Sequence, residues 1–421
     1  MRKPELLAPA GDPVSLRAAL DAGADAVYFG AGAFNMRKRA RNFRPDDIAD
    51  VVSLCHEYGA RAYLAINIIV YETEFTLLDS TLDKAAEAGT DAVICWDHAV
   101  IDAALERGLK VHLSTQASVS NSRSILQYYR KSGIRRFVLA RECSLDHLRI
   151  IRSHLLDALG DEADNIELEV FIHGAMCVSV SGRCFMSELI TGESGNRGAC
   201  LQPCRRKYRI IDVEGEYEYE IGQDYVMSPE DMCTMPFLDR ILESPVASLK
   251  IEGRMRSPEY VSTVVGAYRK AVDAYYENLS QTDPPGKNSD FTVLKKALTA
   301  ELRTVFNRGF SKGYYMGRPV GDWAKSPNSQ ASKRKETVGI VTNYYRKVGV
   351  AEILVQGASF EIGDELLIQG PTTGNLSLKV ESIQVEHEPV ESAVKGTRVA
   401  VMVPRRVRLN DGVFRRFDVD V

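Results

Sequence analysis

Short apolar runs alternate with amphipathic stretches through the first half of the chain. Five of these runs begin with a glycine: GADAVYFG at Gly23, GARAYLAIN at Gly59, GTDAVICW at Gly89, GLKVHLST at Gly108 and GIRRFVLA at Gly133. A glycine just past the last turn of a helix is a common left-handed cap, and the runs have the length of buried strands. The pattern therefore predicts repeated helix–strand units.

Three further apolar runs raise the number of predicted strands to eight: LLAPA from Leu6, ELEVFIHG from Glu167 and SLKIEGR from Ser248. Runs that are apolar throughout and separated by helices are typical of a parallel sheet covered on both faces. Eight such units favour an α/β fold of the closed (β/α)8, TIM-like type. A doubly wound open sheet is the alternative, but no G-x-G-x-x-G turn supports it.

A long insertion interrupts this rhythm between the seventh and eighth predicted strands. It covers about residues 174–245, which is far longer than a usual connection in such a fold. Segments that follow the C-terminal end of a barrel strand belong to the active-site face, so the insertion is the best functional candidate. Five of the eight cysteines lie in it: Cys177, Cys184, Cys200, Cys204 and Cys233.

Other local signals mark helix starts and a second domain. A capping residue followed by proline predicts helix N-termini at Asp12-Pro13, Ser228-Pro229 and Ser257-Pro258. Residues 326–335 are polar and predict a linker after a barrel domain over 1–325. Short β-rich runs separated by turn residues then predict a small all-β barrel over 336–421.

Composition narrows the class of protein. A chain of 421 residues with 45% hydrophobic and 26% charged residues is typical of a globular protein with more than one domain. The net charge of −4 excludes a globally basic nucleic-acid binder, although local basic patches remain. No apolar run approaches the ~20 residues of a membrane span, and the N-terminus lacks a signal-like segment. We therefore expect a cytoplasmic protein outside the membrane.

Clustered cysteines in a reducing compartment indicate metal binding or catalysis before disulfides. Only Cys200 and Cys204 have the short spacing of a zinc knuckle, whereas four thiolates from scattered loop positions suit an iron–sulfur cluster at least as well. Cys233 is expected about one turn inside a helix, near an N-terminus that would stabilise its thiolate. The cysteines outside the insertion are interpreted as small buried hydrophobes: Cys55, Cys95 and Cys143.

Polar side chains at the ends of predicted strands are candidates for chemistry. His173 ends the seventh strand, where it could act as an acid or base, although a lone histidine is more often structural. Lys250, Glu252 and Arg254 alternate along the eighth strand, so they are expected to face the barrel mouth or to form a salt-bridged layer. Arg141 follows the sixth strand, where a guanidinium can grip a carboxylate or phosphate.

Three basic runs favour contact with an RNA backbone, although charge runs are usually solvated faces. The candidate RNA-binding residues in these runs are Arg37, Lys38, Arg39, Arg205, Arg206, Arg405 and Arg406. The chain contains no H-E-x-x-H, G-x-S-x-G or P-loop motif. Metalloprotease, serine-hydrolase and P-loop functions therefore lack their signatures.

Six segments resemble those of a known family: ELLAPAGD, GADAVYFG, STQASVSN, EVFIHGAMCVSVSGRC, GACLQPCRRKY and SLKIEGRMRSPEYV. Together they resemble the collagenase-like peptidase U32 family up to about residue 320, and the tail is similar to the family's C-terminal β-barrel. The family name implies proteolysis, but the sequence has no recognisable protease machinery. The resemblance extends to relatives that hydroxylate RNA or quinones.

The resemblance implies a 4Fe–4S cluster, with zinc as the alternative metal. The ligands it implies are Cys177, Cys184, Cys200 and Cys233, and Cys204 would be a neighbouring thiol or a substitute ligand. The tail is most similar to the branch that hydroxylates tRNA, which implies 5-hydroxyuridine formation at the wobble position with prephenate as hydroxyl source. The positions of His173, Arg141, Glu252 and Arg254 add the hypothesis that these residues position the base or a small dicarboxylate co-substrate.

Three functions stay open at this point: an iron–sulfur RNA hydroxylase, a collagenase-like peptidase, and a non-catalytic RNA-binding or assembly factor with a structural cluster. In the first case the basic runs and the tail domain would hold the anticodon arm of tRNA. A homo-oligomer and a paralogous partner subunit also remain open.

Overall fold

The computed structural model describes residues 2–37, 42–208, 214–215, 227–278, 289–319, 322–326 and 328–419. The described strands of the first domain are β1 (Glu5–Ala10), β2 (Ala26–Phe29), β3 (Arg61–Ala65), β4 (Ala92–Cys95), β5 (Val111–Leu113), β6 (Arg136–Val138), β7 (Glu167–Gly174), β8 (Asp231–Cys233), β9 (Ser248–Ile251) and β10 (Phe310–Ser311). Strands β1 to β7 pair in parallel in chain order, and β9 pairs in parallel with both β7 and β1. The eight strands therefore close into the predicted barrel.

Helices surround the strands of this barrel, and short helices also lie in the insertion. They are α1 (Pro13–Asp21), α2 (Ile48–Glu57), α3 (Phe75–Glu87), α4 (His98–Glu106), α5 (Ser122–Ser132), α6 (Leu145–Leu159), α7 (Met186–Thr191), α8 (Leu238–Leu242), α9 (Pro258–Asn278) and α10 (Ser289–Arg303). Gly133 caps α5 with a φ of 66°, a left-handed conformation that glycine adopts without a steric penalty. The alternation predicted from the apolar runs is confirmed, and so is the TIM-like fold.

Two of the three predicted helix starts are correct. Asp12 caps α1, where its side chain accepts a hydrogen bond of 2.7 Å from the backbone N–H of Ser15, and α9 begins at Pro258. The helix predicted after Ser228 is wrong, because the next residues form the short strand β8. That strand pairs antiparallel with the end of β7 and parallel with β10, so non-local pairing outweighs the local capping signal.

The core lies in two places. A large apolar layer fills the space between the strands and the helices, and Cys55, Cys95 and Cys143 are buried in it as predicted. A smaller set of side chains fills the inside of the barrel, together with the buried ion pair of Lys250 Nζ and Glu169 Oε1 at 2.8 Å. The barrel is therefore a packed core whose chemistry is confined to its ends.

The C-terminal region is an antiparallel all-β unit, as the sequence predicts. Its strands are β11 (Lys333–Tyr345), β12 (Val350–Val355), β13 (Phe360–Glu361), β14 (Glu365–Gly370), β15 (Gly374–Lys379), β16 (Ile383–Val385), β17 (Glu388–Val390), β18 (Ser392–Ala393), β19 (Arg398–Met402) and β20 (Gly412–Asp418). Eight of them form a sheet in the order β15-β14-β20-β11-β12-β19-β16-β17, and β13 pairs with β18. These strands enclose a separate apolar core.

Ion pairs tie the all-β unit to the barrel. Lys335 Nζ lies 2.8 Å from Glu259 Oε2 on α9, and Arg405 Nη1 lies 2.8 Å from Asp21 Oδ2 at the end of α1. Throughout the described part of the chain, no helix combines the length and the apolar character that a membrane crossing requires.

Candidate functional site

A cavity of about 140 Å³ lies at the C-terminal ends of the barrel strands. Residues on or just after the strands form one part of its wall, including Tyr28, Asn67, Gln116, Arg141, Phe171, Lys250, Glu252 and Arg254. The insertion supplies the other part, including Cys177, Cys184, Cys200 and Cys204. Four of the five cysteines of the insertion are thus brought together over the mouth of the barrel.

Backbone N–H groups point at two of these sulfurs. The N–H of Met186 donates to Cys184 Sγ at 3.3 Å, and the N–H of Gln202 donates to Cys200 Sγ at 3.3 Å. Each donor lies two residues beyond its cysteine, so each loop turns tightly around the sulfur it carries. Hydrogen bonds to sulfur stabilise the charged thiolate, which is the form that binds a metal.

Cys204 is electrostatically coupled to the other three thiols of the cavity. Burial raises the pKa of Cys204, Arg205 opposes that rise, and the nearby thiols of Cys177, Cys200 and Cys184 add to it. Within the described residues, no three Cys, His, Asp or Glu side chains converge closely enough to form a finished metal site. The donor set nevertheless fits a thiolate-liganded group in number and kind.

Cys233 lies elsewhere. It is part of strand β8 and not of a helix, so the prediction of a helix N-terminus near it is wrong. It is buried, it does not line the cavity, and its sulfur lies 3.9 Å from the hydroxyl oxygen of Tyr268. Burial raises the pKa of Cys233 to about 11, which disfavours the thiolate. The structure therefore groups Cys204, and not Cys233, with the other three.

The side chain of His173 also turns away from the cavity. The sequence predicts it at the barrel mouth, and that prediction is wrong. The β7–β9 register shifts between Phe171 and His173, and such an irregularity redirects the side chains beyond it. Phe171, before the shift, lines the cavity, whereas the ring of His173, after it, packs against Tyr260, Tyr268 and Phe310. His173 is only 1% exposed and is surrounded by aromatic rings, as is typical of a structural histidine.

We expect His173 to remain neutral throughout the physiological range. Burial, with a smaller contribution from Arg256, lowers its pKa from 6.5 to about 3. The unfolded chain takes up this proton first, so the histidine reduces stability as the pH falls from 6.5 towards 3. The ring signals of His173 in ¹H–¹³C NMR spectra can be assigned by their absence from the spectrum of His173→Gln. These signals should not shift between pH 8 and pH 5. A titration centred near 6.5 would contradict this placement.

Glu252 holds two arginines at the mouth of the barrel. Its carboxylate lies 2.9 Å from Arg37 Nη2 and 3.4 Å from Arg141 Nη2. Burial alone would raise the pKa of Glu252, but the guanidinium groups of Arg37, Arg141 and Arg254 outweigh it and lower the value to about 2. Lys250, Glu252 and Arg254 all line the cavity, as predicted, although β9 ends at Ile251 and the last two residues lie just beyond it.

Arg254 gives the cavity an excess of positive charge. It is 5% exposed, and its Nη1 donates to Asn35 Oδ1 at 3.0 Å, with no carboxylate of the described residues at ion-pair distance. Gly30 makes room for it, because a Cβ there would lie 2.5 Å from Arg254 Nη1. Burial lowers the pKa of Arg254 to about 10, so it stays charged at neutral pH. A buried arginine without a protein carboxylate is suited to an anionic ligand.

The residues predicted to contact RNA have different placements. Arg37 belongs to the cavity, and Lys38 and Arg39 lie outside the described residues. Arg205 donates to Ser228 Oγ, Pro229 O and Met176 O, so it anchors the insertion. Arg405 is paired with Asp21 at the domain contact described above. The exposed members of the set are Arg206, Arg405 and Arg406.

Several cavity residues escaped the sequence analysis. Tyr28 lies on β2, and its hydroxyl donates to the carbonyl of Ile251 at 2.9 Å. Asn67 lies two residues after the end of β3, and Trp96, which lines a groove beside the cavity, directly follows β4. Position after a strand's C-terminal end is the signal that would have found Asn67 and Trp96, because the active-site face of a barrel is built from such residues.

Comparisons with known proteins agree on one family. The model of peptidase family U32 matches residues 11–325. A collagenase of Porphyromonas gingivalis is 39% identical, over 98% of this chain and 97% of the relative. An uncharacterized protease of Methanocaldococcus jannaschii is also 39% identical, over 97% of each chain. The tRNA hydroxylation protein P1 of Bacillus subtilis is 34% identical, over 91% of this chain and 87% of the relative.

Proposed function

This chain belongs to peptidase family U32, and from that premise we propose that it is an iron–sulfur-dependent RNA hydroxylase. Its substrate would be tRNA, in which it would convert the wobble uridine to 5-hydroxyuridine with prephenate as the hydroxyl source. Relatives of this chain that are named tRNA hydroxylation proteins support the choice of tRNA. The observation that carries the proposal is one cavity that combines four thiols with an excess of buried arginine.

The four thiols would hold the cluster. The proposed ligands are Cys177, Cys184, Cys200 and Cys204, since these cysteines share the cavity. When bound, a 4Fe–4S cluster supplies one-electron redox chemistry, which suits a reaction that replaces a C–H bond by a C–O bond. Binding would draw the thiolates together, since much of a metal site's order comes from the metal itself.

The arginines would hold the co-substrate. Prephenate carries two carboxylates, and the excess charge of Arg254 suits one of them. Arg141 is held between Glu252, the carbonyl of Ala175 at 3.0 Å and the ring of Phe171, with its Cζ 4.1 Å from the ring centroid. A guanidinium fixed in this way keeps its direction without losing side-chain entropy on binding. Arg141 would therefore orient the second carboxylate or the reacting base.

The reacting base would have to leave its stack to reach this cavity. A uridine in the anticodon loop is unpaired, so the cost of extruding it is low. Exposed basic side chains such as Arg206 and Arg406 would contact phosphates around the entrance or on the all-β unit. Their contribution would fall as the salt concentration rises.

Nucleoside analysis tests the proposal directly. We expect a strain that lacks this protein, and any paralogue of it, to lose 5-hydroxyuridine and its derivatives from tRNA, as measured by mass spectrometry of tRNA digests. Wild-type protein should restore the nucleoside. Arg254→Ala should restore less than about a tenth of it, because loss of one buried charge-assisted contact costs at least a factor of ten. Arg346→Ala, in the all-β unit, is the control and should restore it fully.

A peptidase is the second candidate, because relatives at 39% identity are named collagenase and protease. Among the described residues, no histidine lines the cavity to activate a thiol or a water. We therefore expect the anaerobically purified protein to leave collagen peptides intact. Peptide cleavage that persists in Cys204→Ala, with unchanged wobble nucleosides in the deletion strain, would replace the hydroxylase by the peptidase.

A further inference from the structure

A second, more open groove lies beside the cavity, and the function proposed above does not use it. It encloses about 310 Å³ and is lined by Met36, Ile69, Trp96, Gln116, Arg183, Phe185 and Asn196. Met36 and Gln116 also line the cavity, so the groove and the cavity are adjoining spaces. A ligand that enters the cavity with a flexible backbone can therefore reach both.

Planar groups dominate the groove and are held in fixed directions. Trp96 is half-buried, and its indole N–H donates to the carbonyl of Asn67 at 3.2 Å. The guanidinium of Arg183 has its Cζ 4.8 Å from the centroid of the Trp96 ring. Arg183 Nε donates to the carbonyl of Gln116 at 2.9 Å, and Nη2 bonds to the same oxygen. These bonds fix the guanidinium while the residue remains exposed to solvent.

Phe185 adds an aromatic ring that has little protein cover. It is 68% exposed and sits just before α7, in the same loop as Cys184. Leaving a phenyl ring in water forfeits the stabilisation that burial would give it. An exposed aromatic ring beside a fixed guanidinium and an indole is a surface on which a planar ligand can stack.

We propose that this groove binds an unpaired nucleobase of the RNA, next to the base that enters the cavity. The inference rests on the function proposed above and adds to it a site for the flanking nucleotide. Proteins bind single-stranded RNA by stacking its bases on aromatic rings and arginine planes, while cations meet the backbone. The side-chain amides of Gln116 and Asn196, which also line the groove, offer donors and acceptors to a base edge.

The positive charge of the groove favours RNA over an apolar protein partner. This charge comes from Arg183, which is exposed at the groove; the neighbouring Arg197 is already paired with Glu74. The apolar side chains that suit a protein partner better are on α7, where Leu189 is 82% exposed. Leu189 does not line the groove, which makes it a matched control for Phe185.

Tryptophan fluorescence can report on the groove directly. The chain has two tryptophans, so Trp323→Phe leaves Trp96 as the single indole. The full-length protein, purified without oxygen, would be titrated with a short single-stranded RNA of anticodon-loop sequence. We expect the emission of Trp96 to fall on binding, because a stacked base quenches an indole. An otherwise identical RNA that is abasic next to the target uridine should quench less and bind about tenfold more weakly.

The groove variants separate this site from the rest of the protein. Phe185→Ala should weaken RNA binding about tenfold and reduce the quenching, whereas Leu189→Ala should change neither. If RNA binds and the wobble uridine is modified, but Trp96 does not respond and Phe185→Ala is neutral, the stacking site is wrong and the hydroxylase stands. If wild-type protein binds no RNA and wobble nucleosides are unchanged without it, both fail. If Phe185→Ala alters only the oligomeric state, the ring belongs to a protein interface and the inference is overturned.

Discussion

Replacing Cys204 by alanine should remove the iron from the protein, whereas replacing Cys233 should not. The sulfur of Cys204 shares a cavity with those of Cys177, Cys184 and Cys200. Cys233 is fixed in β8, where its backbone pairs with His173 and its sulfur faces the hydroxyl of Tyr268. Bringing Cys233 into the cavity would break this strand pairing, so we expect no contribution from it to metal binding.

The measurement is iron content and visible absorption after anaerobic reconstitution. We expect about four irons per chain in the wild type and in Cys233→Ala, and less than about one in Cys204→Ala. Circular dichroism of both variants checks that the fold is retained. Cys233→Ala should lose about 1 kcal/mol of stability, a common cost for truncating a buried side chain.

Other outcomes have clear meanings. Retention of iron by Cys204→Ala together with its loss from Cys233→Ala would restore the ligand set that the family resemblance implies. Zinc in stoichiometric amounts, with no visible chromophore, would identify the alternative metal. A colourless wild-type protein that takes up neither metal would remove the cluster from the proposed function.

Replacing Glu252 by glutamine should destabilise the folded protein by about 3 kcal/mol near neutral pH. The pKa of Glu252 is lowered from 4.5 to about 2, and each unit of that shift corresponds to about 1.4 kcal/mol. The side chain is 14% exposed, so solvent screens its ion pairs only weakly. Glutamine keeps the shape of the side chain but leaves Arg37 and Arg141 without their counter-charge.

The pH dependence of this effect has a definite sign. Above about pH 4.5 the carboxylate is ionised in both the folded and the unfolded chain, and its full stabilisation is present. Between pH 4.5 and pH 2 the unfolded chain binds the proton first, so the stabilisation is lost as the pH falls. Urea unfolding from pH 7 to pH 3 should therefore show the wild type approaching Glu252→Gln.

A double variant provides the control. In an Arg37→Gln background, Glu252→Gln should cost less than it does in the wild type, because one of its cationic partners has already been removed. A deficit for Glu252→Gln that stays constant with pH, or that is unchanged in the Arg37→Gln background, would contradict the electrostatic origin of the effect.

Much of the fold can be predicted from local pattern. The apolar runs, the glycines between units and the caps at Asp12 and Ser257 each act within a few residues, and the elements they predict are present. Strands β8 (Asp231–Cys233) and β10 (Phe310–Ser311) could not be predicted, because neither lies in an apolar run of the repeated pattern. They exist through pairing with β7 and with each other, and a single short segment contains no record of its partner.

The candidate site divides in the same way. The alternate positions of Lys250, Glu252 and Arg254 in the sequence were sufficient to predict that all three face the cavity, although Glu252 and Arg254 lie beyond the last residue of β9. The same rule failed for His173, because a register shift with β9 lies just before it.

By itself, then, the sequence determined the repeated units, the charged strand end and the concentration of thiols in one insertion. Only the tertiary structure decided that Cys204 lines the same cavity as Cys177, Cys184 and Cys200, while Cys233 is held in strand β8. It also decided that Arg205 anchors the insertion through a hydrogen bond to the carbonyl of Met176. The physical reason is distance along the chain. Periodicity and capping act over one or two turns, whereas the neighbours of a loop side chain depend on how segments far apart in sequence pack together.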